Sequence, residues 1–182
     1  VVDVLRFSSR VISALEQTPA YPLDDAARAV SINGAEIALA AAQIPSSIVL
    51  LGALTNASAV AAAVLAEQTR RGARTSVAII AGGERDLHQP DAQVRFAVED
   101  FLGAGAIIDA LAARGIDHTS PEAAAAGESF AGLRRALRHL LTASGSGREL
   151  LERGDGDDIV AAATLDASTL VPALADGVFR AL

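Results

Sequence analysis

Short apolar runs alternate along the chain with longer segments in which apolar residues recur every three or four positions. A continuous apolar run bounded by polar or glycine residues is typical of a buried β-strand. The runs that we interpret as strands are residues 1–5, 20–23, 47–51, 75–80 and 177–182.

The periodic segments predict helices. We expect helices after Ser8 and Ser9, and over residues 24–30, 35–43, 56–71, 93–113, 120–142, 148–153 and 157–163, with a last helical turn at 171–174. Apolar strands that alternate with helices indicate an α/β fold in which both faces of the sheet are covered. The predicted architecture is one α/β domain with three α/β/α layers around a mixed or mostly parallel sheet.

Polar residues gather where the predicted strands end, at 3–9, 33–34, 52–56 and 82–84. In sheets of this class, ligands bind at the carboxyl ends of the strands. We therefore place the candidate site at these four junctions.

Asp3 interrupts an otherwise apolar run, and Arg6 follows at the end of the same run. A buried carboxylate is costly unless it is paired or binds a cation. Asp3 could hold a divalent metal while Arg6 binds an anion, or the two could form a structural ion pair. Ser8 and Ser9 precede a helix, where they could bind a phosphate or sulfonate group or simply cap the helix.

Other junction residues offer neutral or acidic groups. Asn33-Gly34 and Asn56 could present donors to an oxyanion or act as helix caps, and Gly83 allows a ligand to approach the backbone closely. Glu99 and Asp100 are adjacent, so one of them could reach the site. The Gly82-Gly83-Glu84 turn lacks the Lys of a nucleotide-binding P-loop.

Composition narrows the classes of function. The 182 residues are 51% hydrophobic and carry a net charge of −7, and all 15 basic residues are Arg. This charge argues against nucleic-acid binding through a basic face. The absence of Cys excludes disulfide scaffolds and zinc–thiolate clusters. Without a membrane-spanning run or a signal peptide, we expect a cytoplasmic protein.

The polar strings, taken in order, resemble the 2-phosphosulfolactate phosphatase family. The strings that carry the resemblance are VVDVLRFSS (1–9), SINGA (31–35), GALTNASAVA (52–61), AIIAGGE (78–84), VEDFLGAGAII (98–108) and SGRELLERGDGDDIVAAATLD (146–166). Segments typical of the family before residue 1 and between residues 30 and 31 are lacking, and no Met begins the chain. We therefore expect the sequence to be incomplete at those two places.

The resemblance implies a three-layer α/β fold and a magnesium-dependent hydrolysis of 2-phospho-3-sulfolactate, a step of coenzyme M biosynthesis. Because the substrate is a polyanion and the protein is acidic, Mg²⁺ would have to offset the repulsion between their negative charges. We predict Asp3 and Glu99 as catalytic residues and Asp3 and Asp100 as metal ligands. The predicted substrate-binding residues are Arg6, Ser8, Ser9, Arg10, Asn33, Gly34, Asn56 and Gly83.

Three alternatives remain at this point. The chain could be a phosphatase of the same fold that acts on another small phosphorylated acid. It could be a non-catalytic protein that binds small organic anions. It could instead be an assembly protein whose Ala-rich helices form homo-oligomers.

Overall fold

The structure, a computed structural model, describes residues 1–29, 31, 33–85 and 93–182. More than half of these residues are helical. The α-helices are α1 (Phe7–Leu15), α2 (Asp25–Ala29), α3 (Gly34–Ala42), α4 (Ala57–Arg71), α5 (Val98–Ala112), α6 (Pro121–Leu133), α7 (Leu137–Ala143), α8 (Gly145–Glu152) and α9 (Gly156–Ala162). The strands are β1 (Tyr21–Pro22), β2 (Val49–Leu50), β3 (Pro172–Ala175) and β4 (Val178–Ala181).

The sheet corrects the predicted fold class. The four strands form one small antiparallel sheet in the order β1–β4–β3–β2, so the predicted three-layer fold with a mostly parallel sheet is wrong. The longest pairing is the hairpin of β3 and β4, which aligns Leu174 with Phe179. The segment at 171–174, predicted as a helical turn, contributes most of β3.

Three of the predicted strands do lie side by side in parallel, but they are joined only by single bridges. Val2 bridges Gly52 on one side and Ala81 on the other. The Val2 N–H donates to the Ile80 carbonyl at 2.8 Å, and the Gly82 N–H donates to the Val2 carbonyl at 2.8 Å. The run at 75–80 was expected to be buried, yet the side chains of Val77 and Ile80 are about 40% exposed. The ends of these segments nevertheless meet at one edge, as the parallel arrangement requires.

Apolar side chains form two cores. The larger core is helical and contains Leu54, Leu102, Leu141 and Ile159 together with Val2 and Val4. The smaller core packs α1 and α3 against the antiparallel sheet, with the rings of Phe7 and Phe179 edge to face at 6.0 Å. The segment 1–6 therefore runs between the two cores, and its turn lies beside both.

Two glycines let α5 approach its neighbours closely. A Cβ on Gly103 would lie 2.6 Å from the Val4 side chain, and one on Gly105 would collide with the carbonyl of Ala126 on α6. Helix α5 therefore packs closely against both segment 1–6 and α6.

Several helix boundaries differ from those predicted. The helix after Ser8 and Ser9 begins earlier, at Phe7, because the Asp3 carboxylate accepts its first N–H. The segment 120–142 is divided by a 3₁₀ turn at Arg134–Ala136. The expected break at 144–147 is a helix start, because the Ser144 hydroxyl accepts the Gly147 N–H at 3.0 Å.

Two further predictions concern helix ends near residues outside the described ranges. Helix α2 ends at Ala29, and residue 30, to which we expected it to extend, lies outside the described residues. Helix α5 begins at Val98 rather than at residue 93. Across the described part of the chain, every helix is too short or too polar to cross a lipid bilayer.

Candidate functional site

A cavity of about 80 Å³ opens where the turn of segment 1–6 meets α3 and α8. Its polar lining comes from distant parts of the chain and includes Asp3, Arg6, Ser31, Asn33, Glu84 and Ser146, with Glu149 and Arg153 at the α8 side. A larger cavity of about 280 Å³ lies between α3 and the sheet, where Asp176 is the charged residue among its described lining. The smaller cavity combines carboxyl, hydroxyl, amide and guanidinium groups and is the candidate site.

Asp3 caps two helices with one carboxylate. Its Oδ1 accepts the Phe7 N–H at 3.0 Å, and its Oδ2 accepts the Gly34 N–H at 3.1 Å. These amides begin α1 and α3, and the partial positive charge at a helix N-terminus favours a carboxylate. A Cβ on Gly34 would lie 2.7 Å from Asp3 Oδ2, so this close approach requires glycine. The structure therefore brings Asp3 and Gly34 into contact, with Asp3 lining the cavity and Gly34 outside its lining.

Asp100 holds two loops together from the first turn of α5. Its Oδ1 accepts the Val4 N–H at 2.7 Å, and its Oδ2 accepts the Gly83 N–H at 2.9 Å. The Gly83 carbonyl in turn accepts a hydrogen bond from the Asn33 side-chain amide at 2.8 Å. Asp100 and Gly83 thus support the cavity from behind, whereas Asn33 lines it.

Burial and mutual repulsion raise the pKa values of three carboxyl groups in this region. Burial, with a smaller contribution from the charge of Glu99, raises the pKa of Asp3 to about 6. Burial and the charge of Asp3 raise the pKa of Asp100 well above its usual range. Burial also raises the pKa of Glu84. Groups with raised pKa values beside a cavity are candidates for proton transfer or cation binding.

Glu84 is fixed through both its backbone and its side chain. Its backbone pairs with that of Arg95, with N–H to carbonyl distances of 3.0 and 2.7 Å. Its Oε2 accepts a hydrogen bond from the Ser146 hydroxyl at 2.9 Å. The Arg95 guanidinium reaches Glu149 on α8 at 3.0 Å, so the Glu84 loop and α8 form one wall of the cavity.

The arginines divide into paired and accessible groups. Arg6 contacts the carboxylates of Asp155 and Asp158 and is 23% exposed. Arg153 lines the cavity, its side chain is 60% exposed, and its nearest carboxylate, Glu149, is 3.9 Å away. Arg10 is exposed and lies outside the cavity lining. Of the two predicted anion-binding arginines, the structure places Arg6 at the site with its charge already compensated.

Four other predicted residues lie away from the cavity lining. The Ser8 hydroxyl accepts the Asp3 N–H at 3.1 Å, and the Ser9 hydroxyl donates to the Val4 carbonyl at 2.9 Å. The Asn56 side chain accepts the Ala53 N–H and donates to the Leu51 and Leu170 carbonyls, which holds the start of α4 in place. Glu99 is 2% exposed and acts on the site through its charge.

Sequence reasoning missed Ser31, Ser146, Glu149 and Arg153 as lining residues. Ser31 caps α3 by accepting the Ala35 N–H at 2.9 Å, so its position before an Asn-Gly turn was the available signal. Ser146 follows the Ser144 cap of α8 and therefore begins a helix beside the cavity. Nothing in the sequence indicated that α8 faces segment 1–6, about 140 residues earlier.

Comparisons with known proteins identify one family. The family model for 2-phosphosulpholactate phosphatase matches residues 29–177. No curated protein matches the chain. The matched segment includes the lining residues before α3, in the Glu84 loop and at α8, whereas Asp3 and Arg6 precede it.

Proposed function

The chain belongs to the 2-phosphosulpholactate phosphatase family, a family of phosphoric monoester hydrolases, and we propose that it hydrolyses 2-phospho-3-sulfolactate with the help of Mg²⁺. The products would be 3-sulfolactate and phosphate, the step expected in coenzyme M biosynthesis. The observation that carries the proposal is the convergence of Asp3, Asn33, Glu84 and Ser146 on one small polar cavity.

The residues at the cavity fit a magnesium ion that relies on substrate and water for most of its ligands. Among residues 1–29, 31, 33–85 and 93–182, no group of three or more His, Cys, Asp or Glu side chains could hold a metal ion. Mg²⁺, however, commonly binds one or two carboxylates and completes its shell with water and phosphate oxygens. Both oxygens of Asp3 and of Asp100 accept amide N–H groups, but Asp3 lines the cavity and Asp100 does not, so Asp3 would be the direct ligand.

When bound, Mg²⁺ would neutralise charge on the phosphate and lower the pKa of an attacking water. Asp3 is held rigidly for this purpose because two helix N-termini fix both of its oxygens. The carboxyl groups of Glu99 and Asp100 behind it supply no positive charge, so a polyanion would enter more readily with a cation bound.

Arg153 is placed to bind the acidic end of the substrate. A guanidinium can bind a carboxylate or sulfonate with two parallel hydrogen bonds. Arg6 serves this purpose less well, because Asp155 and Asp158 already contact it. Asn33 lines the same cavity and offers a neutral amide donor to the phosphate.

The test is phosphate release from 2-phospho-3-sulfolactate, 2-phospholactate and an uncharged alkyl phosphate, with Mg²⁺ or with a chelator. We expect turnover only with Mg²⁺, and the fastest turnover on the sulfonated substrate. Asp3→Asn should abolish most of this activity, whereas Asp117→Asn, at an exposed position, should not. Equal turnover of Asp3→Asn and the unchanged protein would refute the assignment of Asp3.

A further inference from the structure

Hydrolysis of an alkyl phosphate needs a proton on the leaving oxygen, because an alkoxide is a poor leaving group. Protonation of such a group by a positioned side chain typically contributes a factor of roughly 10²–10⁴ to the rate. Three buried carboxyl groups with raised pKa values lie in this region, those of Asp3, Glu84 and Asp100. Their hydrogen-bond partners distinguish which of them can carry the proton.

The hydrogen bonds of Asp3 and Asp100 favour the deprotonated carboxylate, which only accepts hydrogen bonds. Each accepts a backbone N–H on both carboxylate oxygens. A backbone N–H can only donate, and such bonds favour the charged form of the carboxyl group. Protonation would weaken two buried hydrogen bonds at each residue. Asp100 is also outside the cavity lining, so it has no path to a bound ester.

Glu84 has a different kind of partner. Its Oε2 accepts from the Ser146 hydroxyl at 2.9 Å, and its Oε1 accepts the neighbouring Arg85 N–H at 3.2 Å. A hydroxyl group both donates and accepts, and its hydrogen rotates to suit its partner. If Glu84 takes up a proton on Oε2, this O–H group can donate a hydrogen bond to the Ser146 oxygen. The pair therefore remains hydrogen-bonded in both protonation states.

Both members of this pair are buried and reach the cavity. Ser146 is 3% exposed, Glu84 is 9% exposed, and both line the cavity with Asp3. The backbone of Glu84 is fixed by its bridge to Arg95. Ser146 is fixed by the cap at the start of α8. The bond joins positions 62 residues apart and ties the Glu84 loop to α8.

We propose that Glu84 is the general acid that protonates the leaving oxygen, and that Ser146 is the positioning residue that keeps Glu84 hydrogen-bonded before and after transfer. This inference rests on the proposed phosphatase function. The water oxygen bonds to phosphorus, the bond from phosphorus to the ester oxygen breaks, and the Glu84 proton passes to that oxygen as the Ser146 hydroxyl turns to donate to Oε2. The proton lost by the water remains on the phosphate, and Glu84 regains a proton from solvent.

Leaving-group dependence tests this role. The full chain and its variants are assayed on 2-phospholactate, whose alkoxide needs protonation, and on 4-nitrophenyl phosphate, whose leaving group does not. We expect Glu84→Gln to lower kcat/KM on the alkyl ester by about 10²–10⁴-fold and on the aryl ester by less than about tenfold. Glu128→Gln, at an exposed position on α6, should match the unchanged protein on both esters.

Ser146 has its own diagnostic variants. Ser146→Ala should cause a smaller loss, about tenfold on the alkyl ester, and Ser146→Thr should restore activity because it keeps the hydroxyl group. Across a series of aryl phosphates, log kcat/KM should fall more steeply with leaving-group pKa in Ser146→Ala than in the unchanged protein. This slope is independent of the amount of folded enzyme, so it remains informative if Glu84→Gln is unstable.

The outcomes separate two failures. Equal losses on both esters and an unchanged slope in Ser146→Ala would overturn the general-acid role while leaving the phosphatase function intact. An unchanged protein that releases no phosphate from any ester in the presence of Mg²⁺ would refute the proposed function, and this inference with it.

Discussion

The buried Asp3 carboxyl predicts that the folded protein loses stability as the pH rises from 4 to 6. Burial raises the pKa of Asp3 from 3.8 to about 6, so the folded state binds a proton in a range where the unfolded chain has released it. Stability falls with pH wherever the folded state binds more protons than the unfolded state. Most proteins lose stability towards acid, so this contribution has the opposite sign.

The size of the effect follows from the shift. A difference of about two pKa units corresponds to about 3 kcal/mol in total, at 1.36 kcal/mol per unit, and about 2 kcal/mol of it falls between pH 4 and pH 6. The raised pKa values of Glu84 and Asp100 act in the same direction. Glu67, whose pKa hydrogen bonds from Arg70 and Arg71 lower to about 2, acts in the opposite direction from an exposed surface.

The assay is urea denaturation at half-unit pH intervals from 4 to 6, in chelator and at 150 mM salt, for the unchanged protein and for Asp3→Asn. The difference between the two pH slopes reports Asp3 together with its coupling to Asp100 and Glu84, whereas groups remote from Asp3, such as Glu67, contribute equally to both proteins. We expect the unchanged protein to lose about 2 kcal/mol more than the variant over this range. A difference of zero, or a gain in stability with pH, would refute the argument that burial dominates at Asp3.

Three further predictions concern packing, support and specificity. Gly105→Ala should destabilise the protein by about 1–3 kcal/mol in urea denaturation, because its Cβ would collide with a carbonyl of α6. The control is Gly132→Ala, which has open space around it and should be neutral or stabilising by up to about 1 kcal/mol. Asn56→Ala should lower the free energy of unfolding by at least about 2 kcal/mol, because it leaves buried backbone groups unpaired, while KM stays unchanged in the folded fraction. Arg153→Met should raise KM roughly tenfold for phosphorylated acids but not for an uncharged alkyl phosphate. The exposed Arg148→Met is its control, and an equal rise in both proteins would contradict the role of Arg153.

The strand-end rule anticipates part of the candidate site. Asp3 and Gly83 lie close together because the segments 1–5 and 75–82 run parallel and end at one edge, whereas Asn33 and Asp100 join them from the starts of α3 and α5. That rule needs only parallel chain directions, and the single bridges of Val2 satisfy it. The sheet itself was mispredicted because an apolar run such as 75–80 has the same pattern whether it is buried on two faces or partly exposed.

The partners of the arginines could not be read from local patterns. Asp155 and Asp158 lie about 150 residues along the chain from Arg6, which they contact. Likewise, the hydroxyl of Ser146 is indistinguishable in sequence from that of Ser144, which caps α8. Which serine reaches a carboxylate depends on tertiary packing, and the local sequence pattern does not contain that information.

The wide separation of the cavity walls has a consequence for protein synthesis. Segment 1–6 is translated about 150 residues before Asp155 and Asp158, the partners of Arg6, and β1 precedes its partner strand β4 by a similar distance. Translation proceeds at about 5–20 residues per second, so the buried acids near the N-terminus wait roughly ten seconds or more for the surroundings that enclose them. During that interval the core that contains Val2 and Val4 is incomplete, because Ile159 and Val171 belong to it, so these apolar side chains remain accessible to chaperones.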